Sequence, residues 1–144
     1  MRDWISEMAA HTQRIQHAID AGQHDNAWRL THEFQDWCIE RINTEHYPLD
    51  SAGTLLSAPQ GFLVKALLAE GKYRQALVHT MYEGVLDARN LKFYPKSIKS
   101  LFKKASFKET NPDVALLVYG RLKEQPLPFA QAFQVIQSAV ASWT

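Results

Sequence analysis

Residues 65–80 read KALLAEGKYRQALVHT, and this stretch decides the architecture of the chain. Two helix-forming runs meet at Gly71. Glycine closes the first run because, lacking Cβ, it takes the left-handed conformation of a helix C′ residue without steric penalty. Ala76 is small enough to let the second helix pack closely on the first. The ring of Tyr73 fills the wedge between them. Residues 16–31, QHAIDAGQHDNAWRLT, carry the same pattern 49 positions earlier. Gly22 then matches Gly71, Ala27 matches Ala76 and Thr31 matches Thr80. Ile19 matches Leu68, and His24 matches Tyr73 as a ring. Both stretches predict antiparallel helical hairpins.

The pattern extends outward from the two hairpins. Helix formers dominate the chain, and no alternating strand or Asn-Gly hairpin signal occurs. Ile5, Met8, Thr12, Ile15 and Ile19 recur at spacings of three and four, predicting a first helix from Asp3, its N-cap, to Ala21. A second runs over 25–43, with Ala27, Leu30, Phe34, Trp37, Cys38 and Ile42 inward. A loop through His46, Tyr47, Pro48, Leu49 and Asp50 follows, then a short turn over 51–56. Ser57, Pro59 and Gln60 read as N-cap, first-turn proline and capping-box partner of a third helix ending at Gly71. The fourth spans 73–88, with Ala76, Leu77, Thr80, Met81 and Val85 inward. Gly84 interrupts it, either for a close neighbour or as a weak point. Asn90 and Pro95 bracket a break before a fifth helix over 95–105. Asn111 and Pro112 start a sixth, reaching Lys123. Pro126 and Pro128 force another break. Phe129, Phe133, Ile136, Val140 and Trp143 form the seam of the last helix. The expectation is a single all-α domain over residues 1–144. It has six or seven helices in antiparallel hairpins, as a repeat-like superhelical array or a closed bundle.

The order Leu63, Leu67, Gly71, Tyr73, Ala76 resembles the tetratricopeptide repeat, a helical-hairpin family. The likeness covers 63–77 and, less well, 15–28. Thr80 and Glu83 stand where that family places an aromatic and a small residue, and the offset of 49 exceeds its usual repeat. The resemblance implies a groove that binds a peptide or another protein, without catalysis.

Charge is unevenly laid out. Residues 1–50 hold nine acids against four arginines, and residues 51–144 hold six acids against twelve basic residues, including every lysine. The segment 89–108 contains Arg89, Lys92, Lys96, Lys99, Lys103, Lys104 and Lys108 and no acid. At 100° per residue, Lys96, Lys99 and Lys103 fall within an arc of about 60°, opposite Ile98, Leu101, Phe102 and Ala105. Phe93, Tyr94 and Phe107 flank this lysine ridge, where aromatic rings are able to stack on bases. Such a ridge suits an anionic partner or a solvated face. Lysine rather than arginine argues against base-specific readout.

Chemistry-bearing motifs are sparse. His32, Glu33 and Asp36 read H-E-x-x-D, but a zincin helix needs a second histidine where Asp36 stands. His11, His17, His24, His32 and His46 cluster only in sequence. Cys38 lies on an apolar stripe, predicting a buried, inert thiol and no intrachain disulfide. No phosphate-binding glycine loop or nucleophile elbow occurs. No apolar run approaches the roughly 20 residues of a membrane span. The expectation is a cytoplasmic, non-catalytic protein without cofactor or metal. It binds another protein, with an acidic surface, as an adaptor, chaperone or immunity-type stoichiometric binder. The candidate contacts are Arg89, Lys92, Lys96, Lys99, Lys103, Lys104, Trp28 (at the edge of its helix stripe) and Tyr73. The alternative is a nucleic-acid-binding accessory protein using 89–108.

Overall fold

The computed structural model of the protein describes residues 4–45, 49–89 and 91–144. Among them are seven helices: α1 (Trp4–Asp20), α2 (His24–Glu45), α3 (Leu49–Ala69), α4 (Tyr73–Leu86), α5 (Phe93–Ala105), α6 (Asp113–Glu124) and α7 (Phe129–Trp143). No strand occurs among the described residues. The Asp3 cap, the loop residues His46, Tyr47 and Pro48, and Asn90 lie outside them.

The two hairpin turns share one geometry. Gly22 and Gly71 both take φ +72°. The Gly22 and Gln23 N–H groups donate to the Ile19 and Ala18 carbonyls, and those of Gly71 and Lys72 donate to Leu68 and Leu67. This is the Schellman pair of bonds, which satisfies carbonyls left open at a helix end. Ala27 and Ala76 are fully buried where the second helix of each hairpin meets its partner.

The start of α3 departs from the sequence expectation. Leu49 and Asp50 belong to α3, and no break separates 51–56 from the rest of it. Ser57 is buried inside the helix rather than capping it, and Pro59 lies mid-helix, also buried. The apolar face of Leu56, Leu63 and Leu67 runs through the proline and must be covered along its whole length. Pro59 has no N–H to give to the Leu55 carbonyl. The Cys38 thiol of α2 donates to that carbonyl instead, at 3.9 Å. Gln60, expected in a capping box, is buried and bridges Gln35 Oε1 (3.2 Å) and His79 Nδ1 (2.7 Å).

Helix α4 is the hub. It packs against α3, α5, α6 and α7, whereas among the described residues α1 touches only α2 and α3. The first four helices stack as successive hairpins, and the last three close around α4. Ala76, Leu77, Thr80 and Met81 point inward as expected, but Val85 is only half-buried. Gly84 marks a close approach. A Cβ there would sit 2.7 Å from Tyr119 Cε2 and 3.0 Å from Tyr94 Cγ. Asn111 caps α6 by accepting the Asp113 N–H at 3.0 Å, and Pro112 has helical dihedrals. On α7 the buried seam is Ala132, Ile136, Val140 and Trp143, with Phe129 and Phe133 half-buried. Arg74 of α4 donates to the Ala105 and Ser106 carbonyls, both at 3.1 Å, and so fixes the end of α5 against the hub.

Candidate functional site

Helices α3, α4 and α5 enclose an open groove of about 610 Å³. Lys65, Phe62 and Gly61 line it from α3, and Thr80 and Glu83 from α4. From α5 come Phe93, Tyr94, Lys96, Ser97, Ser100 and Lys104. The lysine ridge explains half of this. At 100° per residue Lys96, Ser100, Lys104 and Ser97 fall on one flank of α5. That flank faces α3 across the groove. Lys99 and Lys103 are exposed but lie outside the groove.

Among the described residues, Lys65, Lys96 and Lys104 form no ion pair. Lys65 Nζ lies 5.2 Å from the Phe62 ring centroid, and Lys104 Nζ lies 6.0 Å from that of Tyr73. Three lysines and the hydroxyl residues Thr80, Ser97 and Ser100 thus line a partly aromatic groove. Thr80 is buried, and Ser97 is half-buried.

The acid on that floor is Glu83. Burial pushes its carboxyl up to about 7, and Asp87 adds to the rise. The Tyr94 hydroxyl, Arg89 and Lys65 oppose it, in that order. A Cβ at Gly61 would lie 2.6 Å from Glu83 Oε1. Glycine inside a helix costs about 1 kcal/mol relative to alanine, and here it leaves space for the carboxyl.

Behind Glu83 stands a buried anion. Asp87 has no exposed surface. Its Oδ1 accepts from Arg89 N–H (3.0 Å) and Nε (2.9 Å), and its Oδ2 from Arg89 Nη2 (2.8 Å) and the Tyr94 hydroxyl (3.0 Å). Those bonds from Arg89, first of all, hold the Asp87 carboxyl down at about 2. Lys123 of α6 donates to the Gly84 and Asp87 carbonyls at 3.1 and 2.9 Å, closing the end of α4.

The candidate contacts therefore separate. Lys96 and Lys104 line the groove; Arg89 is held bidentately by Asp87 and is not part of the lining. Lys92, Lys99 and Lys103 are exposed elsewhere. Tyr73 is at the groove's edge only through Lys104. Trp28 is half-buried against His32 and His79, at 5.0 and 5.8 Å between ring centroids, and borders a separate cleft of about 300 Å³. Of the aromatics expected to stack on bases, only Phe93 is free to do so, at 50% exposure. Tyr94 and Phe107 are core residues: Tyr94 of α5 packs on Gly84 of α4, and Phe107, just past α5, packs on Trp143 of α7.

Cys38 is fully buried, and burial raises its thiol to about 12. No group of three histidine, cysteine or acidic residues is gathered for a metal ion among the described residues. No helix among them is long and apolar enough to cross a membrane. Sequence reasoning passed over Lys65, Phe62, Glu83, Ser97 and Ser100. One signal for Glu83 was legible: it follows the inward Thr80 by three residues, so it shares the buried side of its helix. The chain matches no protein-family model, no curated protein and no solved structure.

Proposed function

We infer that the protein is a non-catalytic binder of another protein, and that it takes an acidic, partly apolar segment of that partner into the α3–α4–α5 groove. The observation that carries this reading is that Lys65, Lys96 and Lys104, without ion pairs of their own among the described residues, line one groove with Phe62 and Phe93. Carboxylates of the segment meet the ammonium groups, and its apolar side chains cover the rings. Adaptor, chaperone and immunity-type roles all use such a stoichiometric contact. A single buried thiol suits a reducing compartment, so we place the protein in the cytoplasm.

Nucleic acid is the weaker partner for this groove. A strand-tracking site needs rings open to bases, and two of the three flanking rings are buried. The test is fluorescence anisotropy with a labelled peptide alternating glutamate with leucine, alongside mixed-sequence single- and double-stranded oligonucleotides. The expected result is peptide binding that drops about tenfold in a Lys65→Glu, Lys104→Glu variant and persists in Lys99→Glu, Lys103→Glu. Tight oligonucleotide binding, falling with a slope of about −0.9 per phosphate in salt and lost with Lys99 and Lys103, would overturn this reading.

A further inference from the structure

The three lysines of the groove share it with one acid, and that acid decides what they are free to bind. We propose that Glu83 is the specificity-determining residue of the groove: as a neutral acid it leaves Lys65, Lys96 and Lys104 to an acidic partner segment, and as a carboxylate it competes for them. This rests on the reading of the groove as a site for such a segment.

Two features favour a proton on Glu83, its burial and the neighbouring Asp87. Its side chain lies on the floor between α3 and α5, seated against Gly61, where water solvates a charge poorly. Asp87, one turn on at the C-cap of α4, is a buried anion paired with Arg89. A second carboxylate beside it is disfavoured by like charge. The Tyr94 hydroxyl is within hydrogen-bonding reach of Glu83. That contact favours the Glu83 carboxylate and works against the proton, while the Tyr94 hydroxyl also donates to Asp87 Oδ2 at 3.0 Å.

The charged and titratable neighbours are distributed over every packed element. Lys65 faces Glu83 from α3, and Asp87 and then Arg89 follow it at the end of α4. Tyr94 meets it from α5, and Lys96 and Lys104 line the same groove from that helix. Tyr119 and Lys123 of α6 lie behind, against Gly84 and Asp87. Tyr94, Arg89 and Lys65 pull toward ionisation, while burial and Asp87 pull away. An incoming carboxylate occupies Lys65 and adds its own negative charge. Binding therefore takes up a proton near neutrality, and no covalent step is involved.

The experiment titrates the intact protein with the labelled glutamate–leucine peptide at about pH 6 and about pH 8, with its glutamine analogue as control. Affinity is expected to fall roughly tenfold from the lower to the higher pH, through the loss of one proton from Glu83. Glu83→Gln, nearly isosteric, should bind at the higher pH as tightly as the parent does at the lower, with a flat profile. Calorimetry in buffers of different ionisation enthalpy should show proton uptake on binding in the parent and none in the variant. Equal affinity at both pH values, without proton uptake, would overturn the role of Glu83 and leave the groove reading standing. No peptide binding at either pH overturns both.

Discussion

Gly84 shows how little room one residue has at the centre of this molecule. The Tyr94 and Tyr119 rings close over its Cα, so Gly84→Ala must displace one of them. The expected cost is about 2 kcal/mol, read as a lower urea midpoint at unchanged slope. Three ionisable residues predict the pH profile of stability. Asp87 ionises at about 2 when folded and at 3.8 otherwise, so its contribution is complete above 3.8 and is lost as pH falls toward 2. His79 is held neutral down to about 4, chiefly by burial and then by His32. The unfolded imidazole gains its proton at 6.5, so acidification from 6.5 to 4 weakens the fold. Glu83 acts in the opposite sense. Folded it is protonated below about 7 and unfolded only below 4.5, so stability rises as pH falls through that span. The two effects are on the order of 2 kcal/mol each and nearly cancel. Urea melts across this range should therefore be almost flat for the parent, fall with acid for Glu83→Gln and rise with acid for His79→Gln. A parent profile that falls steeply between 6.5 and 4 would contradict the Glu83 assignment. These residues are hard to read from sequence. Arg89 counts as a free cation until the fold buries Asp87 beside it, and Glu83 looks like any helix-surface acid until α3 and α5 cover it.

The turns and α3 carry the lessons at the level of single elements. Gly22 and Gly71 were legible because a left-handed residue leaves a chemical signature that needs no tertiary context. Their equal geometry predicts equal sensitivity. Gly22→Ala and Gly71→Ala should each cost about 1 kcal/mol, although neither added methyl meets any atom within 4 Å. The Ser57, Pro59, Gln60 signal failed for the converse reason. Local capping chemistry is worth about 1 kcal/mol, and the burial of Leu56, Leu63 and Leu67 on one continuous face outweighs it. Pro59→Ala returns an N–H donor to the Leu55 carbonyl and should stabilise α3 by about 1 kcal/mol. In that background the Cys38 thiol has lost its role as substitute donor. Cys38→Ala should therefore cost less there than in the parent, a coupling that a double-mutant cycle measures. Additive effects would show that the thiol merely fills space.

At the scale of the whole molecule the helical class followed from the hairpins, while the closure of the last three helices around α4 did not. The seam of α7 announces that it must be covered without naming its cover, and contacts such as those between α4 and α7 have no sequence period. The division into an acidic first third and a basic remainder was legible; which lysines share a groove was set by the path of α3 past α5. Unequal packing predicts unequal protection. Amide hydrogen exchange should be slowest in α4, which four helices cover, and faster in α1, which touches two among the described residues. Protection of α1 equal to that of α4 would mean that the protein opens only globally.

The return of α7 to α4 also orders events during synthesis. The first hairpin forms from neighbouring residues as soon as α2 has left the ribosome, and α3 can dock on it. The hub cannot be finished then. Met81, Tyr82 and the rest of the inward face of α4 wait, uncovered, while some fifty further residues are made. During that interval the nascent chain displays the unfinished inward face of its hub helix, and it is the span in which a holding chaperone has something to grip.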